Sequence, residues 1–351
     1  MRSCREGEPA VDERPRTAVR AGALAALLLC AVALRLTVGR DPSSGSLEWS
    51  WPHASVMTLR AGAVMSALVA GASLGLSGLL LQVLLRNPLA SPFVLGLSSG
   101  AGLGATLAAW GMGAIGGGGW IAMVSWTGVP QVVPAAIGAL LTLGIVLALG
   151  TRRGAIEPVS MVLAGTVVAA ICGALTLMVQ YAMPPASRAD AGIWFMGRVP
   201  EVPDRSVLAV SIAAVAAAVA WSSAAARRFD IASASDDEAR SMGVRLSTLR
   251  LGMYAAAGIT AATSVALCGP IAFVGFVAPH IARLLLGARH RPLVLGSAAA
   301  GALVLVAADV ARHAIDFGQG RMPVGVLTAL VGGPAFLLVL RSSRRGTGVT
   351  P

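Results

Sequence analysis

Asn87-Pro88-Leu89-Ala90-Ser91-Pro92-Phe93-Val94-Leu95-Gly96 opens a stretch that carries no charged side chain before Arg152. An ordinary globular chain has about a quarter of its residues charged, so no soluble surface runs that far without one. The stretch is lipid-embedded, and the prolines at its start mark where one membrane helix ends and the next begins. Working outward, further charge-free runs occupy residues 61–85, 158–187, 206–226, 251–282, 292–308 and 322–340. Of the 351 residues, 56% are hydrophobic and only 12% are charged. Small residues fill these runs, which suits close packing where lipid supplies no hydrophobic drive between helices.

The expected fold is an all-α polytopic membrane protein. A span needs roughly 20 apolar residues. On that basis ten spans are placed near 21–38, 61–85, 93–110, 131–150, 158–181, 205–226, 248–268, 271–287, 292–311 and 323–341. Residues 111–130, Gly-rich and carrying Trp120 and Trp126, read as an interfacial connection. Residues 184–203 read as an outside loop with Trp194 and Phe195 on the membrane surface. The organisation is a cytosolic tail (1–20), a permease domain (21–341) with a cytosolic loop at 227–250, and a second tail (342–351).

Orientation follows from the arginines. With the N-terminus inside, the outer segments keep only Arg35, Arg40, Arg60, Arg188, Arg198, Arg205, Arg312 and Arg321, and all others fall on the cytosolic side. That bias places both termini in the cytosol and accounts for the net charge of +11 without nucleic acid. Ala31-Val32-Ala33 after an arginine-bearing start has the pattern of a signal-peptide cleavage site. The apolar run continues past it, which favours a retained first span. Cys4, Cys30, Cys172 and Cys268 have no metal or disulfide spacing.

The absences narrow function. The chain has no lysine, so no G-x-x-x-x-G-K-[ST] loop is present to hydrolyse ATP. His53, His280, His290 and His313 are too scattered for a metal site, and no cofactor is expected. Nothing in the sequence supports an enzyme.

One hydrophilic segment is long enough to do a job. Ser235 and Glu238 have capping-box spacing, Asp236 and Asp237 suit the first turn, and Gly243 is placed to end the helix in a left-handed cap. A short cytosolic helix is therefore expected near 236–242. It reads either as a solvated connector or as a docking element for a partner.

The segments Gly71-Ala72-Ser73-Leu74 to Gln82, Arg86 to Pro92, and Leu95-Gly96-Leu97-Ser98-Ser99-Gly100-Ala101 resemble the signature of FecCD-type ABC importer permeases. Leu163-Ala164-Gly165, Ala239-Arg240-Ser241-Met242-Gly243-Val244, the run from Gly269-Pro270 to Pro279-His280-Ile281-Ala282-Arg283, Met322-Pro323-Val324-Gly325-Val326 and Gly332-Gly333-Pro334 follow in the family's order. That family carries iron-siderophores, haem and cobalamin. The resemblance implies a ten-span subunit in a bacterial cytoplasmic (inner) membrane, paired with a copy of itself or a paralogous permease. A separate cytosolic ABC ATPase dimer and an extracytoplasmic substrate-binding protein complete the machine. It further implies that Ser235, Asp236, Asp237, Glu238, Arg240, Met242 and Gly243 couple to the ATPase, and that Arg60 and Arg312 belong to the outer rim where the binding protein docks. The family's second arginine after Arg60, and the Glu before its Leu-Pro-Val-Gly block, are missing here.

Other residues have two readings each. Gln82, in an apolar span, either faces the pathway or makes an interhelical hydrogen bond. Asn87 and Pro88 fit the N-cap and first position of the third span, or a hinge. Asp309 and Arg312, three apart, fit an internal ion pair. Pro92-Phe93-Val94-Leu95-Gly96 echoes Pro292-Leu293-Val294-Leu295-Gly296, a hint of an internal repeat. The expected function is the permease of an ATP-driven ferric-siderophore importer. The alternative is an ion-gradient-driven secondary transporter, which would carry acidic groups near the midplane of its spans.

Overall fold

The computed structural model describes residues 14–40, 47–49, 51–114, 132–152, 155–185, 188, 192, 194–315 and 322–346. Among them are eleven α-helices. In chain order these are α1 (Arg14–Thr37), α2 (Ala54–Leu84), α3 (Leu97–Ala114), α4 (Val132–Gly150), α5 (Pro158–Ala182), α6 (Arg205–Ala234), α7 (Asp236–Ser241), α8 (Leu246–Cys268), α9 (Val274–Leu286), α10 (His290–Ala314) and α11 (Val324–Gly346). Two short antiparallel ribbons, β1–β2 (Val38–Arg40 with Leu47–Trp49) and β3–β4 (Thr151–Arg152 with Ala155–Ile156), link α1 to α2 and α4 to α5. The connection expected at 111–130 lies almost wholly outside the described residues, as do Arg321 and the ends of both tails.

Ten helices fall on the ten expected spans and the eleventh, α7, is the short cytosolic helix. Seven are long and apolar enough to cross a membrane unaided. An even number of spans puts both termini on one side, and the arginine bias makes that side the cytosol.

The centre of the bundle is α2, whose most apolar stretch is 83% buried against 11% in α1 and 17% in α6. It packs on α10, α8, α9 and α6. Glycines at i, i+4 and i+7 make this possible. A Cβ on Gly71 would run into the Gly301 carbonyl, one on Gly75 into that of Ser297, and one on Gly78 into that of Gly275. Backbones thus meet directly, the small-residue contact that membrane helices use in place of hydrophobic drive. The pairs Gly71–Gly301 and Gly75–Ser297 also fix α2 and α10 as antiparallel.

Four local expectations need correction. The third span begins at Leu97, not at Pro88. Asn87 Oδ1 accepts the Leu89 N–H (2.9 Å) in a tight turn, a 3-10 helix spans Pro92–Leu95, and Gly96 at φ +72° turns the chain into α3. The Asn87 N–H is already committed to closing α2, by donating to the Gln82 carbonyl (3.1 Å). The sequence echo therefore pairs a 3-10 turn with a regular helical stretch of α10, and no repeat is formed there. Trp194 is 7% exposed and meets Phe195 edge-to-face at 5.5 Å, with Phe195 against Gly102 of α3, so this pair is folded into the bundle and not spread on its surface.

The fourth concerns the eighth span. Its helix α9 has only 13 residues, and the chain enters it through the non-helical stretch 269–273. Irregular backbone at membrane depth is tolerated only where protein covers it. Here Gly197 and Gly325 press on the Pro270 carbonyl, and Ile271 is 1% exposed. Phe273 sits at φ +67°, a left-handed conformation that is strained for a bulky residue.

Candidate functional site

The cytosolic loop is shorter than its sequence suggests. α6 continues to Ala234 because Phe229 and Ala232 are buried, Phe229 between Trp221 and His290. Ser235, in extended conformation, breaks α6 from α7, and its Oγ accepts the Glu238 N–H (3.0 Å) as the N-cap. Asp236, Asp237 and Glu238 occupy the first turn, where the helix dipole favours negative charge. The far end closes in a Schellman motif. The Val244 N–H donates to the Ala239 carbonyl (2.9 Å) and the Gly243 N–H to that of Arg240 (3.0 Å), with Gly243 at φ +78°. A six-residue helix is marginal alone, so both caps and the fully buried Ala239 are what hold it.

What α7 presents follows from this. Asp237, Glu238, Arg240, Met242 and Gly243 are exposed. Asp237 accepts from Arg240 at 3.0 Å on the same surface.

Asp236 points the other way. Arg250 of α8 donates to both its carboxylate oxygens (2.8 Å each), and Arg86, just past α2, donates to Oδ1. The same Arg86 nitrogen reaches the Ala232 carbonyl (2.7 Å) at the end of α6. Burial pushes the Asp236 carboxyl up. The Arg250 hydrogen bonds, with the charges of Arg250 and Arg86, outweigh it and hold the group below the usual carboxylate range.

Arg86 has a further peculiarity. α2 also ends in a Schellman motif, with the Arg86 N–H on the Val83 carbonyl (3.2 Å) and the Asn87 N–H on that of Gln82. Arg86 holds the left-handed position, φ +47°, where glycine is the usual occupant. A side chain there costs about 1–2 kcal/mol. A glycine there would make neither the bond to Ala232 of α6 nor the one to Asp236 of α7, which gives the strain a physical counterpart.

At the outer face the expected rim residues turn inward. Arg312 is 6% exposed, donating to Asp309 (2.6 Å) and to the Val199 carbonyl (3.5 Å). The Asp309–Arg312 pair thus forms as its spacing suggested, and Arg35 of α1 completes it by donating to the other Asp309 oxygen. Arg60 is 9% exposed, lies over Gly39 and donates to the Leu36 carbonyl (2.8 Å). Both arginines are largely buried and bonded within the outer end of the bundle.

Gln82 is 3% exposed and neither its amide oxygen nor its nitrogen has a partner among the described residues. The interhelical bond, one of its two readings, is not made among the described residues. Asn87 and Pro88 are exposed beside Arg86. Among the described residues no cluster of His, Cys, Asp or Glu has metal-binding geometry. Arg35, Arg86 and Arg250 were the residues that local sequence could not assign. Their partners lie 274, 150 and 14 positions away.

Comparison with known proteins bears on the whole chain. It is 32% identical over 330 residues to the iron(3+)-hydroxamate import system permease protein FhuB of Escherichia coli K12, covering 91% of this chain and 46% of that protein. The chain thus spans about half the length of that relative. Identity is also 32% over 299 residues to the hemin transport system permease protein HmuU of Yersinia pestis (83% and 85% covered). It is again 32% over 328 residues to the vitamin B12 import system permease protein BtuC of Yersinia pseudotuberculosis (90% and 91%). A solved structure described as an inward-facing conformation of a metal-chelate type ABC transporter has the same fold, with a TM-score of 0.77 at 24% identity, covering 93% of this chain and 99% of that one. The model of the FecCD transport family matches residues 22–342, and the chain belongs to that family.

Proposed function

We propose that this chain is the membrane-spanning subunit of an ATP-driven importer for a metal chelate, with a ferric siderophore as the expected cargo. It works in a bacterial cytoplasmic membrane, paired with a second copy or a sister permease. A separate ATPase dimer binds the cytosolic face and an extracytoplasmic binding protein delivers the cargo. The relatives' named cargoes, ferric hydroxamate, hemin and vitamin B12, are all metal chelates.

The observation that carries this reading is the clamp on α7. An exposed, doubly capped helix is joined through the Asp236 carboxylate to Arg250 of α8 and to Arg86 at the end of α2, and Arg86 also holds the Ala232 carbonyl of α6. A push on its outer surface from an ATPase moves the innermost helix of the bundle directly, and α2 meets α9 and α10 backbone to backbone. In this role Asp237, Glu238, Arg240 and Met242 make the contact, Ser235 and Gly243 shape the helix, and Asp236 passes the motion on. Asn87 and Pro88 form the bend next to the clamp. An ion-gradient carrier lacks support by comparison. Asp309, the acid buried within a described span, is neutralised by two arginines near the outer end.

The test is reconstitution with the ATPase and binding protein. Asp237→Arg/Glu238→Arg is expected to abolish ATPase capture, whereas Asp236→Ala is expected to keep capture and ATP hydrolysis but lose uptake. Uptake by the unmodified chain driven by an ion gradient without ATP would overturn the proposal.

A further inference from the structure

A cleft of about 880 Å³ lies between the cytosolic half of α6 and the start of α8, beneath the end of α7. Its mouth carries Arg227, Arg228 and Arg245, all exposed. None of the three makes a side-chain hydrogen bond or ion pair among the described residues. No acidic residue is among the described residues that line the cleft. Three cations without a partner among the described residues, set around a concavity, attract an anion.

The walls then turn apolar. Trp221 and Ala224 of α6 face Gly252 and Ala255 of α8, and Trp221 lies so close over Gly252 that a Cβ there would meet its ring. Arg245 to Ala255 is ten residues, about 15 Å along a helix, which is about half the hydrocarbon thickness of a bilayer. Leu251, on the same wall, is 47% exposed. A soluble anion has no use for this apolar depth, and a docked protein surface does not reach one leaflet deep. Trp221 sits where an amphipathic ring marks the boundary between headgroups and acyl chains.

We propose that this cleft binds an anionic phospholipid of the cytosolic leaflet, with its phosphate among Arg227, Arg228 and Arg245 and an acyl chain along Trp221, Gly252 and Ala255. Basic pockets between membrane helices on the cytosolic side hold such headgroups by this combination of charge and apolar depth. Met242, Gly243 and Val244 of the α7 end line the same cleft, so the bound lipid touches the clamped helix. Under the proposed coupling role, occupancy sets how firmly α7 rests on the bundle. The binding site itself does not depend on that role.

The test uses the purified full chain alone, stripped of lipid in detergent, with retained lipid counted by native mass spectrometry. Phosphatidylglycerol is expected to be retained as one molecule per chain and phosphatidylcholine at least tenfold less. Arg227→Gln/Arg228→Gln/Arg245→Gln is expected to lower phosphatidylglycerol retention about tenfold or more, and the triple Lys variant to restore it. Ala224→Leu/Ala255→Leu, which fills the apolar floor and keeps every arginine, is expected to lower retention too. It provides the reading if the Gln variant fails to fold. Arg289→Gln/Arg291→Gln serves as the control, since the larger cavity there shares its lining with the carboxylate of Asp230. Equal retention of both lipids, or equal losses from the control pair, would overturn the site. Loss on removing the arginines with no effect of filling the floor would assign the mouth to a soluble anion or an acidic partner surface, and would overturn the lipid.

Discussion

Among its described residues the molecule holds two Arg–Asp–Arg triads, one at each membrane face, built from the same two side-chain types and suited to opposite tasks. At the outer end Asp309 is 0% exposed between Arg35 (2%) and Arg312 (6%). At the cytosolic end Asp236 is 27% exposed between Arg250 (15%) and Arg86 (42%). A buried triad cannot lose one member without leaving charge stranded at low dielectric, so it locks its helices. A half-exposed triad exchanges its bonds with water at little cost, so it can hold helices together and still let them shift. The outer triad joins α1 to α10 as a brace, whereas the cytosolic triad joins α7 to α2 and α8 as a joint.

The sharpest way to break this comparison is to delete both aspartates in turn. Asp309→Ala is expected to destabilise the protein by about 3–5 kcal/mol, seen as a large fall in thermal midpoint in detergent. Asp236→Ala is expected to cost no more than about 1 kcal/mol. A larger loss at Asp236 than at Asp309 would reverse the assignment of brace and joint.

Arg86 offers a finer cut. Arg86→Ala keeps the left-handed strain and loses the joint, while Arg86→Gly removes both. The glycine variant is expected to be the more stable by about 1 kcal/mol, with coupled uptake reduced in both. Next in size, Ser235→Ala is expected to cost about 1 kcal/mol or less, confined to α7 and read as faster amide exchange at Glu238.

The smallest effect is that of pH. Asp236 is held below its ordinary value, so its contribution is complete above the unfolded carboxylate pKa of about 3.9. It is lost only as pH falls through the lowered value. Coupling measured from pH 5.5 to 8 should therefore show no titration from this group. A transition in that window, absent from Asp236→Asn, would contradict the joint as described.

The sequence made the helices legible because hydrophobicity and charge are local properties. Charge-free runs mark spans wherever lipid surrounds them, and Ser235, Glu238 and Gly243 spell out α7 through backbone caps that need no distant partner. Partnership was not legible in the same way. Arg35 reads only as one of the outer arginines until α10 brings Asp309 to it, and Arg60 reads as a rim charge until β1 lies across it. Asn87 had two readings, opening the third span or forming a hinge, and local preference does not choose between them. Gly269 and Pro270 already fell between two expected spans, but residues 271–273 hid because they are apolar, and hydropathy does not distinguish a helix from an extended chain walled in by protein.

That stretch bears on how the protein is made. α9 is about 20 Å long at 1.5 Å per residue, too short to cross a hydrocarbon core of about 30 Å, and the bare backbone preceding it has no place in lipid. Newly synthesised α9 therefore has no stable position of its own in the bilayer. It gains one only beside α2, already in place, and α10, which leaves the ribosome after it. Topology at this point is set by helices made before and after it, so a chain truncated before α10 should leave α9 accessible to a water-borne label.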